Sequence, residues 1–172
     1  MSTTYEPIAT TTLGSAQANV EFTSIPSTYK HLQLRAAIQM TGQEWVVCQI
    51  NGDTSTNYAS HGLYANGSSV STLALTTGAA SFGYLALKSN AASTDSIGMI
   101  MDFLDYANTN TNKTVRCLWG NDRNGAGELG INSMFRPSES GATTSIKLLH
   151  TGSGTKFNQY SHFALYGIKG VA

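Results

Sequence analysis

The segment His31–Met40, HLQLRAAIQM, has a side-chain period of two over ten residues. One parity is wholly apolar and consists of Leu32, Leu34, Ala36, Ile38 and Met40. The other parity is mostly polar and consists of His31, Gln33, Arg35, Ala37 and Gln39. Successive side chains of a β-strand point to opposite faces, whereas a helix would place Leu32 and Leu34 about 200° apart. The pattern therefore predicts a strand with one face buried in a hydrophobic core.

Short extended runs recur along the whole chain and are separated by turn residues. They are Tyr5–Thr12, Asn19–Ser24, His31–Met40, Trp45–Asn51, Tyr58–Tyr64, Phe82–Leu87, Ile97–Tyr106, Thr114–Trp119, Glu128–Phe135, Ser145–His150 and Phe163–Ile168. No segment has a sustained apolar repeat of helical period. Such a series predicts an all-β fold, an antiparallel sandwich or barrel of about eight to eleven strands.

The length of 172 residues suits one domain, because a chain of this size buries roughly 70% of its unfolded surface in a single core. No segment has the composition of a linker between two cores. We therefore predict one β-sandwich domain over residues 1–172, with residues 1–4 as a flexible N-terminal tail.

Three Asn-Gly pairs fall between the runs, at Asn51-Gly52, Asn66-Gly67 and Asn124-Gly125. Asn and Gly tolerate the positive φ that a tight type I′ hairpin turn requires at both central positions. These pairs predict turns that connect neighbouring strands.

Charged residues make up only 12% of the chain, about half the usual share of roughly 25%. Lys plus Arg and Asp plus Glu number ten each, and no window holds a run of basic residues. Nucleic-acid binding normally needs a basic patch that contacts phosphates, so we expect no nucleic-acid partner. A net charge of zero leaves little repulsion between copies and favours self-association.

Several runs, notably Ile97–Leu104 and Phe163–Ile168, are apolar on both parities. One face of each strand would meet the sandwich core, and the other face needs a separate cover. In a chain with so little helix, the expected cover is another subunit, so these strands predict a homo-oligomer.

The segment Met1–Thr12 is polar and threonine-rich, unlike a signal peptide, and no run approaches the roughly 18 apolar residues of a membrane span. We therefore expect synthesis in a cytoplasm and no membrane partner. The two cysteines, Cys48 and Cys117, are then expected to be free thiols, with a disulfide between them as the alternative.

Residues that could carry chemistry lack the spacing that chemistry requires. The four histidines form no ligand pair with another His, Cys or carboxylate. The loop Asn51–Asn57 begins like a calcium loop but continues with Tyr58 where a glycine is needed. Asp102 and Asp105 have an odd separation, which places them on opposite faces of a strand. We predict no catalytic residue, no metal site and no cofactor, hence no enzyme.

Aromatic, histidine and arginine residues in or beside predicted loops are the better functional candidates. Tyr, Trp and Arg are enriched at the centres of interfaces. The candidates for contact with a partner or a glycan are Tyr58, His61, Tyr64, Trp119, Arg123 and Arg136.

Four blocks resemble small virion proteins of tailed phages, especially phages of cyanobacteria. They are TYEPIATTTLGSAQANVEFTSIPSTYKHLQLR, QINGDTSTNYASHGLYANGSS, DFLDYANTNTNKTVR and HFALYGIKG, which occur in that order from Tyr5 to Gly170. The resemblance implies a β-sandwich of jelly-roll type, a trimer, and a place on the outside of the virion. The family has no catalytic motif to transfer to this sequence.

The function expected from this resemblance is capsid decoration: a trimer that binds the major capsid protein or other virion proteins. The alternative is a head or tail fibre module that recognises host surface glycan, and the third possibility is a glycan-acting hydrolase. In a trimer with so few charges, the mostly polar face of the strand His31–Met40 becomes the candidate subunit contact, through Gln33, Arg35, Ala37 and Gln39.

Overall fold

The computed structural model describes residues 4–87, 95–122, 126–136 and 141–170, and every helix or strand within them is a β-strand. The twelve strands are β1 (Tyr5–Thr12), β2 (Val20–Phe22), β3 (His31–Ile38), β4 (Trp45–Ile50), β5 (Tyr58–Ala65), β6 (Val70–Ala79), β7 (Phe82–Leu87), β8 (Ile97–Leu104), β9 (Lys113–Asp122), β10 (Gly127–Arg136), β11 (Ile146–His150) and β12 (His162–Ile168).

The strands form two antiparallel sheets that enclose one hydrophobic core, as in a β-sandwich. The large sheet has eight strands in the order β1-β12-β3-β8-β9-β10-β5-β6. The small sheet has four strands in the order β2-β11-β4-β7. The all-β, antiparallel fold predicted from the sequence is confirmed.

The chain crosses repeatedly between the two sheets. Strands β1, β3, β8 and β12 are neighbours in the large sheet, whereas β2, β4, β7 and β11 make up the small sheet. The two hairpins β5–β6 and β9–β10 both extend the large sheet beyond β8. The large sheet is therefore twice as wide as the small one.

Strand β3 buries its even face as predicted. Leu32, Leu34, Ile38 and Met40 have no solvent-exposed surface, and Ala36 is 8% exposed. Burying an aliphatic side chain of this size contributes about 1.5–3 kcal/mol, so this face anchors the core. Met40 lies beyond the end of β3 and pairs with Phe157 through an isolated bridge.

Strand β6 was not predicted from the sequence, whereas the other strands match predicted runs within a few residues at each end. Its sequence, VSTLALTTGA, lacks a clear apolar face, because Val70 has the parity opposite to Leu73 and Leu75. The strand forms at the edge of the large sheet through its backbone pairing with β5.

Of the two Asn-Gly pairs within the described residues, Asn66-Gly67 lies in a hairpin turn as predicted, between the paired strands β5 and β6, although the turn is not of type I′. Asn51 and Gly52 both have positive φ, at 55° and 65°, but they connect β4 and β5, which lie in different sheets. In the β5–β6 hairpin only Gly67 has positive φ, while the Asn66 side chain accepts hydrogen bonds from the next turn residues. The pair at 124–125 lies outside the described residues.

Cys48 and Cys117 are free and buried, on strands of opposite sheets. Burial raises the pKa of both thiols, which disfavours the reactive thiolate. The predicted free thiols are confirmed.

Candidate functional site

The outer face of the large sheet, which points away from the small sheet, carries a row of large aliphatic side chains. Ile100 lies opposite Leu118, Leu118 opposite Ile131, and Ile131 opposite Leu63. These four residues, named here the apolar row, cross strands β8, β9, β10 and β5 at right angles to the strands. Their exposed fractions range from 39% to 55%, although large aliphatic side chains favour burial.

The apolar row follows from strands that are apolar on both parities. In β8, Met99 and Met101 point into the core, so Ile100 between them points outward. In β9, Cys117 and Trp119 are buried on either side of the exposed Leu118. The predicted double-sided character of Ile97–Leu104 is therefore confirmed, and β9 shares it, whereas in β10 only the outer face is mainly apolar.

Beside the apolar row lies a row of residues with little or no side chain. Ala37 is opposite Gly98, and Gly98 is opposite Gly120. This small-residue row is the floor of an open depression of about 740 Å³, whose walls include Leu118 and Leu129. The outer face therefore has a projecting apolar row and a recessed small-residue row side by side.

A polar row lies on the other side of the apolar row. The Gln33 amide donates to Asp102 at 2.8 Å, and Arg116 lies 3.6 Å from the same carboxylate. Ser133 and His61 continue this row on the next two strands. Since Arg116 and Asp102 have opposite charges and lie close together, the polar row adds no net charge to the outer face.

Arg35 closes one end of the apolar row, opposite Ile100. Its guanidinium lies 5.4 Å from the ring centroid of Tyr166 and 5.7 Å from that of Tyr5. Its Nε donates to Gln33 at 2.7 Å. These contacts hold the cation against aromatic rings at the margin of the apolar surface.

The four predicted subunit-contact residues do not all lie together on an open surface. Arg35 and Ala37 are exposed on the outer face, whereas Gln33 is only 9% exposed. Gln39 lies beyond β3, where its backbone N–H donates to Ser161 and its amide donates to Ser96. A subunit contact through these residues stays a prediction.

Of the second group of candidates, Tyr58 begins β5 and Arg136 ends β10, whereas His61, Tyr64 and Trp119 lie within β5 and β9. Tyr58, Trp119 and Arg136 are at most 3% exposed, so the isolated chain does not present them to a partner. Their parity gives the reason: each points into the sandwich, where aromatic rings and the Arg136 stem fill space. Arg123 lies outside the described residues.

Arg136 forms a structural ion pair at one end of the sandwich. Its Nη2 lies 2.8 Å from Asp53, and its guanidinium lies 5.5 Å from the centroid of Tyr58. Burial alone would raise the pKa of Asp53, but hydrogen bonds from Ser55 and Arg136 outweigh it and hold that pKa below its usual range. Asp53, in the loop that resembles a calcium site, is thus engaged by a cation of the protein itself.

His61 and Tyr64 lie on opposite faces of β5. His61 is exposed in the polar row. Tyr64 is half-buried, and its ring centroid lies 6.0 Å from that of Trp45. Trp45 also packs against Tyr84 at 5.0 Å. Trp45, Tyr64 and Tyr84 form a half-buried aromatic cluster.

In the described residues no three His, Cys, Asp or Glu side chains converge as metal ligands. Asp102 is bound by Gln33 and Arg116, and Asp105 by Lys30 at 2.5 Å. No helix in this part of the chain is long and apolar enough to cross a membrane.

No protein-family model matches the chain, and no curated protein matches it. The geometry of the outer face therefore carries the functional argument. The sequence contained a signal for it, since the runs Thr114–Trp119 and Glu128–Phe135 also have apolar residues on both parities. Sequence reasoning missed Leu63, Leu118, Leu129 and Ile131 because it followed this pattern only in two other runs.

Proposed function

We propose that this protein is a structural protein of a phage virion: a capsid decoration protein that binds the outer capsid surface as a trimer. The observation that carries the proposal is the uncovered apolar row on the outer face. Large aliphatic side chains arranged in register across four strands are typical of a surface that is buried in an assembly.

The strand order supports a fold of jelly-roll type, which occurs in viral capsid proteins and lectins. Four strands in the order β1-β12-β3-β8 face four in the order β2-β11-β4-β7, with consecutive strands alternating between the sheets. In this proposal the hairpins β5–β6 and β9–β10 are insertions that widen one sheet. That widening supplies most of the apolar row.

The low charge supports binding through shape and apolar contact. Debye screening at about 1 M salt removes most attraction between exposed charges. We therefore expect the protein to stay on purified particles at that salt concentration. Release of the protein by salt alone would contradict this mode of binding.

The copy number on purified virions tests the decoration role. We expect many copies distributed over the head, measured by gel densitometry against the major capsid protein and by imaging. A few copies at one vertex or on the tail would contradict decoration and support the fibre module. Absence of the protein from virions would contradict both.

The aromatic cluster of Trp45, Tyr64 and Tyr84 favours the second candidate, a fibre module that binds host surface glycan. The ring centroids of Tyr64 and Tyr84 lie 6.0 Å and 5.0 Å from that of Trp45, and all three side chains remain partly exposed. If the cluster binds sugar rings, Tyr64→Ala should weaken binding to host polysaccharide. Replacing the exposed Tyr160, which lies in the loop before β12, should leave binding unchanged.

A further inference from the structure

We infer that a second copy of this chain covers the outer face of the large sheet, with the apolar row of one copy seated in the small-residue row of the next. The inference rests on the proposed homo-oligomer and names the surface that forms it.

Exposed large hydrophobic residues are concentrated on this face. Among the described residues, those with the highest exposure on it are Leu63, Val70, Leu118, Leu129 and Ile131, each between 48% and 69% exposed. Among the side chains whose exposure the structure describes, none of the exposed large hydrophobic residues lies on the small sheet. A partner is therefore needed on one side of the sandwich.

The face is complementary to itself in shape. Ile100 stands two residues from Gly98 on β8, and Leu118 stands two residues from Gly120 on β9. The apolar row and the small-residue row thus run parallel. They are about 7 Å apart, because two residues of a strand span that distance. Facing sheets approach to about 10 Å only when their side chains interdigitate, and this surface supplies both the projecting and the receiving residues.

The dimensions and charge of the face suit a second copy. The whole outer face, eight strands of about eight residues, spans roughly 1,000 Å² by strand spacing and rise, which is large enough to contain a standard interface of roughly 800 Å² per partner. The apolar and small-residue rows carry no charge, and the neighbouring Asp102–Arg116 pair is neutral. Along these rows two copies can therefore meet without repulsion between like charges, and the cation nearest to them is Arg35, which lies at the margin against Tyr5 and Tyr166.

The small-residue row leaves room for a side chain of the partner. Its glycines are not required by the packing of the monomer, because the fold has space for a Cβ atom there. A Cβ added at Gly98 would meet only the Gly120 carbonyl oxygen, at 3.9 Å. Gly98→Ala should therefore fold normally and weaken association, by about tenfold if the added methyl group displaces the partner. The monomer's own packing does not explain a glycine at this position.

Charge insertion on each row tests the contact. Leu118→Glu on the apolar row and Ala37→Glu on the small-residue row should each yield a folded monomer by sedimentation equilibrium, with self-association at least about 30-fold weaker. Gln49→Glu, on the outer face of the small sheet, is the matched control and should keep the wild-type mass. Circular dichroism checks that each variant is folded.

Oxidation of a Leu118→Cys/Ala37→Cys variant adds an independent measurement. Within one chain these positions are two strands apart, about 10 Å by strand spacing, beyond the roughly 7 Å limit for a disulfide. Any disulfide between them thus joins two copies. Wild-type protein, whose Cys48 and Cys117 are buried, is the control.

The outcomes separate this inference from the proposed function. Monomeric charge variants with cross-linked products of up to three copies support both the contact and the trimer. Products that stop at two copies support the contact and contradict the trimer. An oligomer that tolerates both charges and forms no cross-link overturns the inference alone. A wild-type monomer whose Leu118→Glu variant loses particle binding overturns it too and assigns the face to the capsid.

Discussion

The outer faces of the two sheets differ in the side chains that they present. On the small sheet, Glu21, Lys147 and Gln49 lie opposite one another, and Lys147 pairs with Glu21 at 3.7 Å. On the large sheet, the corresponding position is occupied by the aliphatic side chains of the apolar row. Both faces lie on the surface of one sandwich, but only the polar one is suited to permanent contact with water. The difference indicates which side of the protein is covered in its assembly.

The largest effect is expected from truncating leucines on the two faces of the large sheet. Leu34→Ala, on the buried face of β3, should destabilise the fold by about 2–5 kcal/mol because it leaves a cavity. Leu118→Ala, on the outer face, should cost the monomer under about 1 kcal/mol. Urea unfolding at low protein concentration measures both. A comparable loss for Leu118→Ala would break the distinction between the two faces.

Two glycines on adjacent strands sharpen the same distinction. A Cβ at Gly130 would meet the buried Trp119 ring at 2.4 Å, so Gly130→Ala should destabilise by about 1–3 kcal/mol. A Cβ at Gly120 would meet its nearest atom at 3.5 Å, so Gly120→Ala should be neutral or slightly stabilising. Measurement in the monomeric Leu118→Glu background removes any contribution from association. Equal losses for the two variants would contradict the assigned faces.

Ion pairs at two sites provide the third test. Asp53→Asn leaves the buried Arg136 without its counter-charge and should cost about 2 kcal/mol, less than for a fully buried pair because Asp53 is partly exposed. Glu21→Gln, in the exposed pair on the small sheet, should cost about 0–1 kcal/mol.

The Asp53 contribution should depend on pH. Because folding lowers the pKa of Asp53, its stabilisation is present above the unfolded pKa of about 4 and is lost as the pH falls through the folded value. The difference in unfolding free energy between wild type and Asp53→Asn should therefore shrink toward low pH. A difference that grew on acidification would contradict the ion pair.

The smallest effect is expected from salt on self-association. Since the apolar and small-residue rows contain no charge, the dissociation constant should change less than about threefold up to 1 M NaCl. Strong dissociation by salt would mean that charged residues such as Arg35 and Arg116 form the contact instead. Sedimentation equilibrium at several salt concentrations measures this.

The sequence alone determined the fold class and most of the strands. The alternation in His31–Met40 was sufficient because burial of one sheet face imposes a period of two that no helix shares. Strand β6 was not predictable in this way, since an edge strand gains its stability from backbone pairing rather than from a buried apolar face. Trp119 is not beside a loop, because β9 continues three residues beyond the apolar run that predicted it.

Only the tertiary structure decided which residues share a surface. Leu63, Leu118 and Ile131 are far apart in the sequence, and only the register of three strands aligns them in one row. The register between β8 and β9 places Gly98 beside Gly120 and so forms the small-residue row. Parity within a strand tells which side chains share a face, because it is set by local backbone geometry. Which strands are neighbours, and in what register, is set by contacts distant in the sequence, and these form the candidate surface.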